Sequence, residues 1–191
     1  MKKIIPIIAV VILIALAINA VLPQQYSPAF DSSMIVEGTE FRSPFVKIHN
    51  KEYCVFSCVI KDADADGNDI FTISTMERYG ILHNKEKFKT DTEIPLEDLI
   101  DPQYKNISTV YDCEIKKGNH YYGFVYAGIA PLNCKEIIIN GQKAGIEKMS
   151  LMINGKQTEF MLYYCIIDSE SYIEQTEIIC IDSHGEQHVI S

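Results

Sequence analysis

Residues 148–160 read KMSLMINGKQTEF, and they indicate the fold more clearly than any other stretch of the chain. Asn154-Gly155 supplies the two positive φ angles of a type I′ turn, which joins antiparallel strands without splaying them. Counting outward from this turn pairs Ile153 with Lys156. The side chains that then share a buried face are Met149, Leu151, Ile153, Phe160, Leu162 and Tyr164, while Ser150 and Glu159 face water.

Short apolar or alternating runs, separated by turn residues, recur from residue 34 onward and predict an all-β, antiparallel, sandwich-like domain of two sheets. The predicted strands are residues 34–37, 44–49, 52–61, 70–77, 109–116, 120–127, 135–139, 148–153, 158–167, 172–181 and 186–190. Residues 94–100, IPLEDLI, are the only helix-like stretch, too short for the crossover that parallel strands need. The pattern leaves open whether residues 34–90 and 109–191 form one sandwich or two lobes, divided near residues 91–108.

The N-terminal segment, residues 4–22, contains 13 Ile, Leu or Val and four Ala among its 19 positions. In a helix this segment would be about 28 Å long, close to the hydrocarbon thickness of a bilayer. Lys2 and Lys3 precede it, and no basic residue follows until Arg42. Because positive flanks stay inside, we expect a single-pass membrane segment with the rest of the chain outside the cell.

The fate of this segment has two interpretations. The length of the apolar run favours a retained anchor within residues 1–22, whereas Ile18-Asn19-Ala20 resembles a signal-peptide cleavage site, after which the protein would be secreted. Residues 23–33, PQQYSPAFDSS, have the composition of a tether. We therefore predict a tethered extracytoplasmic domain over residues 34–191.

The exterior part is acidic. Without Lys2 and Lys3 the chain keeps 15 basic and 26 acidic side chains, a formal charge of −11. Such a charge repels nucleic acid and anionic lipid headgroups, so we expect no nucleic-acid partner. A partner would be cationic, neutral or metal-bearing, although acidity also serves solubility alone.

Six cysteines in an exported domain suggest disulfides. Cys54 and Cys58 are four residues apart on a predicted strand, which puts their Cα atoms about 13 Å apart, too far for a bond. Cys165 and Cys180 lie on successive predicted strands, roughly symmetric about the intervening turn, and are the candidate disulfide. The alternative is that most of the cysteines are reduced core residues. No second Cys pair completes a zinc site.

Residues 62–67, DADADG, alternate carboxylates with a final Gly and resemble the first half of an EF-hand calcium loop. The twelfth position of that loop is Ile73, where the family has a bidentate Glu, and the flanks read as strands. A hairpin loop could still bind Ca²⁺, with the carboxylates of Asp62, Asp64, Asp66 and Asp69 as ligands. The alternative is a solvated hairpin tip without metal.

No catalytic motif is present: the sequence contains no Gly-x-Ser-x-Gly, Ser-x-x-Lys or His-Glu-x-x-His. The five His residues are scattered along the chain, so a Cys–His pair would form only through folding.

The second half of the chain resembles small uncharacterised anchored proteins of Gram-positive bacteria. The residues that carry this resemblance are 122–125 (YGFV), 135–141 (KEIIING), Phe160, Ile178 and 182–185 (DSHG). The resemblance implies a β-sandwich-like fold and no activity.

The sequence thus favours a non-enzymatic, membrane-tethered module that binds a protein or another ligand of the cell envelope. A calcium-stabilised structural or adhesive domain is the alternative, and a thiol enzyme is a third hypothesis.

Overall fold

The computed structural model describes residues 32–63, 66–79, 85–96, 99, 109–153 and 155–189. Within these ranges the fold is all-β, every strand pairing is antiparallel, and the strands form three sheets. A short 3-10 turn, Ser32–Met34, precedes the first strand. The predicted all-β antiparallel class is therefore confirmed.

Sheet A is formed by the first five strands, with β3 and β4 at its centre. Its strands are β1 (Phe41–Arg42), β2 (Val46–Ile48), β3 (Lys51–Ile60), β4 (Ile70–Tyr79) and β5 (Lys85–Pro95).

Sheet B has the order β10-β11-β7-β6, and sheet C has the order β13-β12-β8-β9. Their strands are β6 (Thr109–Lys117), β7 (His120–Ala130), β8 (Cys134–Ile139), β9 (Gln142–Lys143), β10 (Gly145–Ile153), β11 (Lys156–Asp168), β12 (Ile178–Asp182) and β13 (Gln187–Val189).

Sheet B is the middle layer. On β7 the odd-numbered side chains, such as Val125 and Ala127, pack with sheet A in one apolar cluster. The even-numbered ones, such as Phe124 and Tyr126, pack with sheet C in a second cluster. A strand that is buried on both faces needs a nearly continuous apolar sequence, as in YYGFVYAGIA of β7 and FMLYYCII of β11. The expected two-sheet sandwich is therefore extended by a third sheet.

The predicted hairpins are present. Ile153 lies opposite Lys156 and Met149 opposite Phe160, as the Asn-Gly turn requires, and the apolar face predicted from this register is buried or half-buried. Asn140 and Gly141 have φ values of 49° and 78° between β8 and β9, which fits a type I′ turn. Local turn chemistry thus specifies the strand pairing at these places.

Strand β5 was not predicted. The helical interpretation of residues 94–100 is wrong at Ile94 and Pro95, which belong to β5, whereas Leu99 lies in a 3-10 turn and its N–H donates to the Leu96 carbonyl at 3.2 Å. Ile94 belongs to β5, pairs with Phe71 and is buried between sheets A and B. The register of β5 shifts between Ser74 and Met76, which breaks the regular alternation of its side chains. The strand KEKFKTDTEIP is also mostly polar, so its pattern is weak.

Other predicted strands are shorter than expected. The strand predicted at 172–181 begins only at Ile178, and the one at 34–37 is reduced to a single bridge between Ile35 and Ile60.

The predicted membrane segment at residues 4–22 and nearly all of the tether at 23–33 lie outside the described residues. Among the residues that are described, no helix has the length and apolar character to cross a membrane.

Two glycines allow close packing of sheet B. A Cβ at Gly123 would lie 2.5 Å from the backbone oxygen of Ile167 and 2.8 Å from a methyl carbon of Ile48. A Cβ at Gly145 would instead meet the end of the Tyr164 ring, 2.3 Å away, and that side chain can rotate.

We therefore expect Gly123→Ala to destabilise the fold by about 1 to 3 kcal/mol, because the Ile167 backbone cannot yield without disturbing β11. Gly145→Ala is the matched control and should cost less than about 1 kcal/mol, since only a flexible ring must move. Urea unfolding of the two variants measures the difference. Equal midpoints would contradict this account of the β7–β11 contact.

Candidate functional site

An open pocket of about 250 Å³ lies between the segment of residues 36–39 and the end of β10. Val36, Val59, Leu96 and Leu151 provide apolar side chains in its lining. Among the described residues that line the pocket, the charged ones are Glu37 and Asp69, and both are acidic. The pocket is thus an apolar depression with negative charge.

The segment that carries Glu37 is held against β3 by backbone hydrogen bonds. The backbone N–H of Val36 donates to the Val59 carbonyl at 2.9 Å. The Thr39 hydroxyl donates to the Val36 carbonyl at 2.7 Å and accepts from the Val59 N–H at 3.0 Å. Between them Gly38 has a φ of 80°, a left-handed conformation that glycine adopts without strain. The turn therefore fixes the backbone beside Glu37, which is exposed to solvent.

Strand β10 forms the other wall of the pocket and is an edge of sheet B. It pairs with β11 on one side, and no described strand pairs with its other side. Leu151 points into the core, while Ser150 and Met152 face outward, and Met152 is 67 % exposed. An edge strand has unpaired N–H and C=O groups and can accept a further strand.

The structure describes three of the four candidate calcium ligands, since Asp64 lies outside the described residues. The Asp62 N–H donates to Asp69 Oδ1 at 3.0 Å, and the Ala63 N–H donates to the Asn68 carbonyl at 2.9 Å. Asp69 therefore already closes the β3–β4 loop with one carboxylate oxygen. The hydrogen bonds account for the position of Asp69 without a cation, and calcium binding stays a hypothesis.

Two buried carboxylates on sheet A are paired with basic side chains. Lys51 Nζ donates to Glu77 Oε1 at 2.7 Å, and Glu77 is 1 % exposed. Burial and the nearby Glu77 raise the pKa of the Tyr53 hydroxyl well above its usual range. On the opposite face of the sheet, Glu86 Oε1 accepts from Arg78 Nη2 at 2.9 Å and from Arg42 Nη1 at 3.2 Å. Lys51–Glu77 and Arg78–Glu86 link neighbouring strands, whereas Arg42–Glu86 links β1 to β5, which do not pair with each other.

The structure shows no bond between Cys165 and Cys180, the candidate disulfide. The prediction assumed that the two strands form a hairpin, but β11 belongs to sheet B and β12 to sheet C. Cys180 Sγ instead lies 2.9 Å from Cys134 Sγ. The sequence did not suggest this neighbour, because β8 and β12 are separated by β9 to β11.

Burial makes four of the thiols poor nucleophiles. It raises the pKa of Cys54 to about 12 and that of Cys58 and Cys165 to about 11. The pKa of Cys134 is raised to about 12, first by burial and then by the neighbouring Cys180. At neutral pH these four thiols are protonated, whereas thiol catalysis needs the thiolate.

Asp182 stabilises the turn between β12 and β13. Its Oδ1 accepts the backbone N–H groups of His184 at 2.8 Å and Glu186 at 3.0 Å, and Oδ2 lies 3.5 Å from His188 Nε2. Asp182, Glu186 and His188 form a group whose ligand-type atoms lie within 4.8 Å of one another in the described part of the chain. The hydrogen bonds within the turn explain this grouping, so it is not by itself evidence for a metal.

Comparisons of the chain with protein-family models, curated proteins and solved structures gave no match. The resemblance to anchored proteins of Gram-positive bacteria therefore stays a prediction.

The pKa of Asp182 predicts how stability depends on pH. Burial alone would raise this pKa, but the two backbone hydrogen bonds and His188 outweigh burial and lower it below its ordinary value. The contribution of Asp182 to stability is therefore complete above its unfolded pKa of about 4 and is lost as the pH falls through the folded pKa.

We expect the urea midpoint of the wild type to fall more steeply between pH 5 and pH 2.5 than that of Asp182→Asn. Asn keeps an oxygen that accepts the two N–H groups but does not titrate, which makes it the appropriate control. Parallel pH curves for the two proteins would show that Asp182 does not carry this dependence.

Proposed function

We propose that this protein is a non-enzymatic, membrane-tethered module that binds a cationic, extended segment of a cell-envelope partner outside the cell. The observation that carries the proposal is the acidic pocket beside the outer edge of β10. An edge strand supplies main-chain hydrogen bonds, and a neighbouring pocket accepts one side chain of the added strand.

The charge of the pocket defines the kind of side chain that fits. The described part of its lining contains Glu37 and Asp69 and no basic residue. The exterior part of the chain has a formal charge of −11, which attracts a basic partner over a longer range. A Lys or Arg side chain can place its methylene stem against Val36 and its charge near the carboxylates.

The raised thiol pKa values support a role in binding over thiol catalysis. Burial keeps Cys54, Cys58, Cys134 and Cys165 protonated at neutral pH. The buried Glu77 carboxylate is paired with Lys51.

The location outside the cell depends on residues 4–22, with Lys2 and Lys3 before them. In cells that express the chain with a C-terminal epitope tag, we expect the tag in the membrane fraction and cleaved by protease added from outside. A deletion of residues 4–22 is the control and should keep the tag in the cytoplasm. Recovery of the full-length chain from the soluble cytoplasmic fraction would contradict the tether.

Binding can be measured with a labelled peptide of alternating Lys and Val, which favours an extended conformation. We expect the full-length protein in detergent to bind this peptide and not the equivalent peptide of Glu and Val. Affinity should fall as salt is added, because exposed charges are screened.

Met152 offers a variant that leaves the core intact, since its side chain is 67 % exposed. Met152→Lys should weaken binding of the Lys–Val peptide roughly two- to five-fold, the range for one exposed charge interaction. Met152→Gln is the neutral control and should bind as the wild type does. Equal affinity for the two peptides, or no effect of Met152→Lys, would refute this use of the β10 edge.

A further inference from the structure

We propose that Cys134 and Cys180 form a disulfide bond that links β8 to β12 within sheet C. This inference goes beyond the proposed binding function and does not depend on it.

The two sulfur atoms are already close. Cys134 Sγ lies 2.9 Å from Cys180 Sγ, which is closer than the ordinary contact distance of two sulfurs that are not bonded. A disulfide needs a separation of about 2.05 Å, so the atoms must approach by less than about 1 Å.

The strand register explains this approach. Cys180 pairs with Ile137 in the regular part of the β8–β12 ladder, and Cys134 pairs with Asp182. A bulge between Ile181 and Asp182 shifts the register and places one extra residue on β8 between these two pairs. Such an irregularity bends the strand locally and re-aims side chains. The two cysteines consequently meet on the face of sheet C that packs against sheet B.

The other four cysteines occupy different positions. Cys54 and Cys58 lie on the outer face of sheet A, and Cys113 lies between sheets A and B. Cys165 is in the same apolar cluster as the pair but lies on β11 of sheet B. The geometry thus selects one disulfide and leaves four thiols.

The reaction is a thiol–disulfide exchange with an external disulfide. The thiolate of one cysteine attacks that disulfide, forms a mixed disulfide and releases one external thiol. The second cysteine then displaces the other external thiol and completes the bond. Two protons and two electrons pass from the cysteines to the external disulfide, which ends as two thiols.

Because the two cysteines are buried in the folded protein, the reaction takes place during folding. Cys134 is 6 % exposed and Cys180 is 4 % exposed, so an external disulfide reaches them before the sheets have packed. Once formed, the bond is shielded from reductants. It closes a long stretch of chain that contains β9, β10 and β11, and it restricts the unfolded ensemble accordingly.

The test uses the full-length chain in detergent, refolded with oxidised and reduced glutathione, then unfolded in urea and alkylated, so that the reagent reaches every buried thiol. Peptide mapping by mass spectrometry without reduction should find Cys134 linked to Cys180 and the other four cysteines alkylated. Six alkylated cysteines, or a link between Cys180 and Cys165, would overturn the proposal. This readout needs only the wild-type protein.

Variants add a second readout. After oxidative refolding, Cys134→Ser and Cys180→Ser should each melt roughly 5 to 15 °C below the wild type. When the unfolded wild type is reduced before refolding, its melting temperature should fall close to that of the two variants. Cys165→Ser controls for the loss of a buried thiol, and its melting temperature should still depend on the redox state. A Cys134→Ser variant that keeps this redox dependence would count against the bond.

Discussion

The fold depends on the burial of both faces of sheet B. Side chains of β7 and β11 alternate between two apolar clusters, one shared with sheet A and one with sheet C. Each of these strands therefore stabilises two layers, and burial of an apolar side chain contributes roughly 1.5 to 3 kcal/mol. The close contact at Gly123, where no Cβ fits, follows from the same constraint. Among the described residues, no apolar cluster has buried members from both sheet A and sheet C, so sheet B is the layer that connects them.

Sheet A combines apolar burial with paired charges. Glu77 and Glu86 are almost fully buried, and each accepts a hydrogen bond from a basic side chain that remains partly exposed. Such pairs contribute little net stability, because the charges lose hydration when they are buried. Their removal one at a time is costly, since the remaining carboxylate is left uncompensated. The main effect of these ion pairs is therefore on which strands lie side by side, and their effect on the stability of the sheet is smaller. Arg78 of β4, for example, bonds to Glu86 of β5.

Local sequence patterns predicted the hairpins. The features that they did not predict depend on tertiary packing. The Asn154-Gly155 turn gave the register of β10 and β11, because a type I′ turn permits one pairing. Strand β5 was missed because it is mostly polar and its register shifts beside Met76.

The pocket brings together Glu37, Asp69 and Met152 from three segments that are distant in the sequence, so no local sequence pattern predicts it. Cys134 and Cys180 meet through a sheet whose strands are not consecutive, and a symmetric count about a turn therefore selected Cys165.

No described strand pairs with the outer edge of β10, which raises the question of why copies of the domain would not pair with each other there. An exposed edge is a route to aggregation unless charge or geometry opposes it. Here Glu147 and Lys148 are exposed on the edge strand, and Lys148 is engaged by Glu159 of β11 at 2.9 Å. The acidic pocket adds Glu37 and Asp69 beside the same strand. Two identical acidic surfaces repel each other, whereas a basic strand gains from the same field. Under the proposed binding function, the charge that disfavours self-association would therefore also favour a cationic partner at the β10 edge.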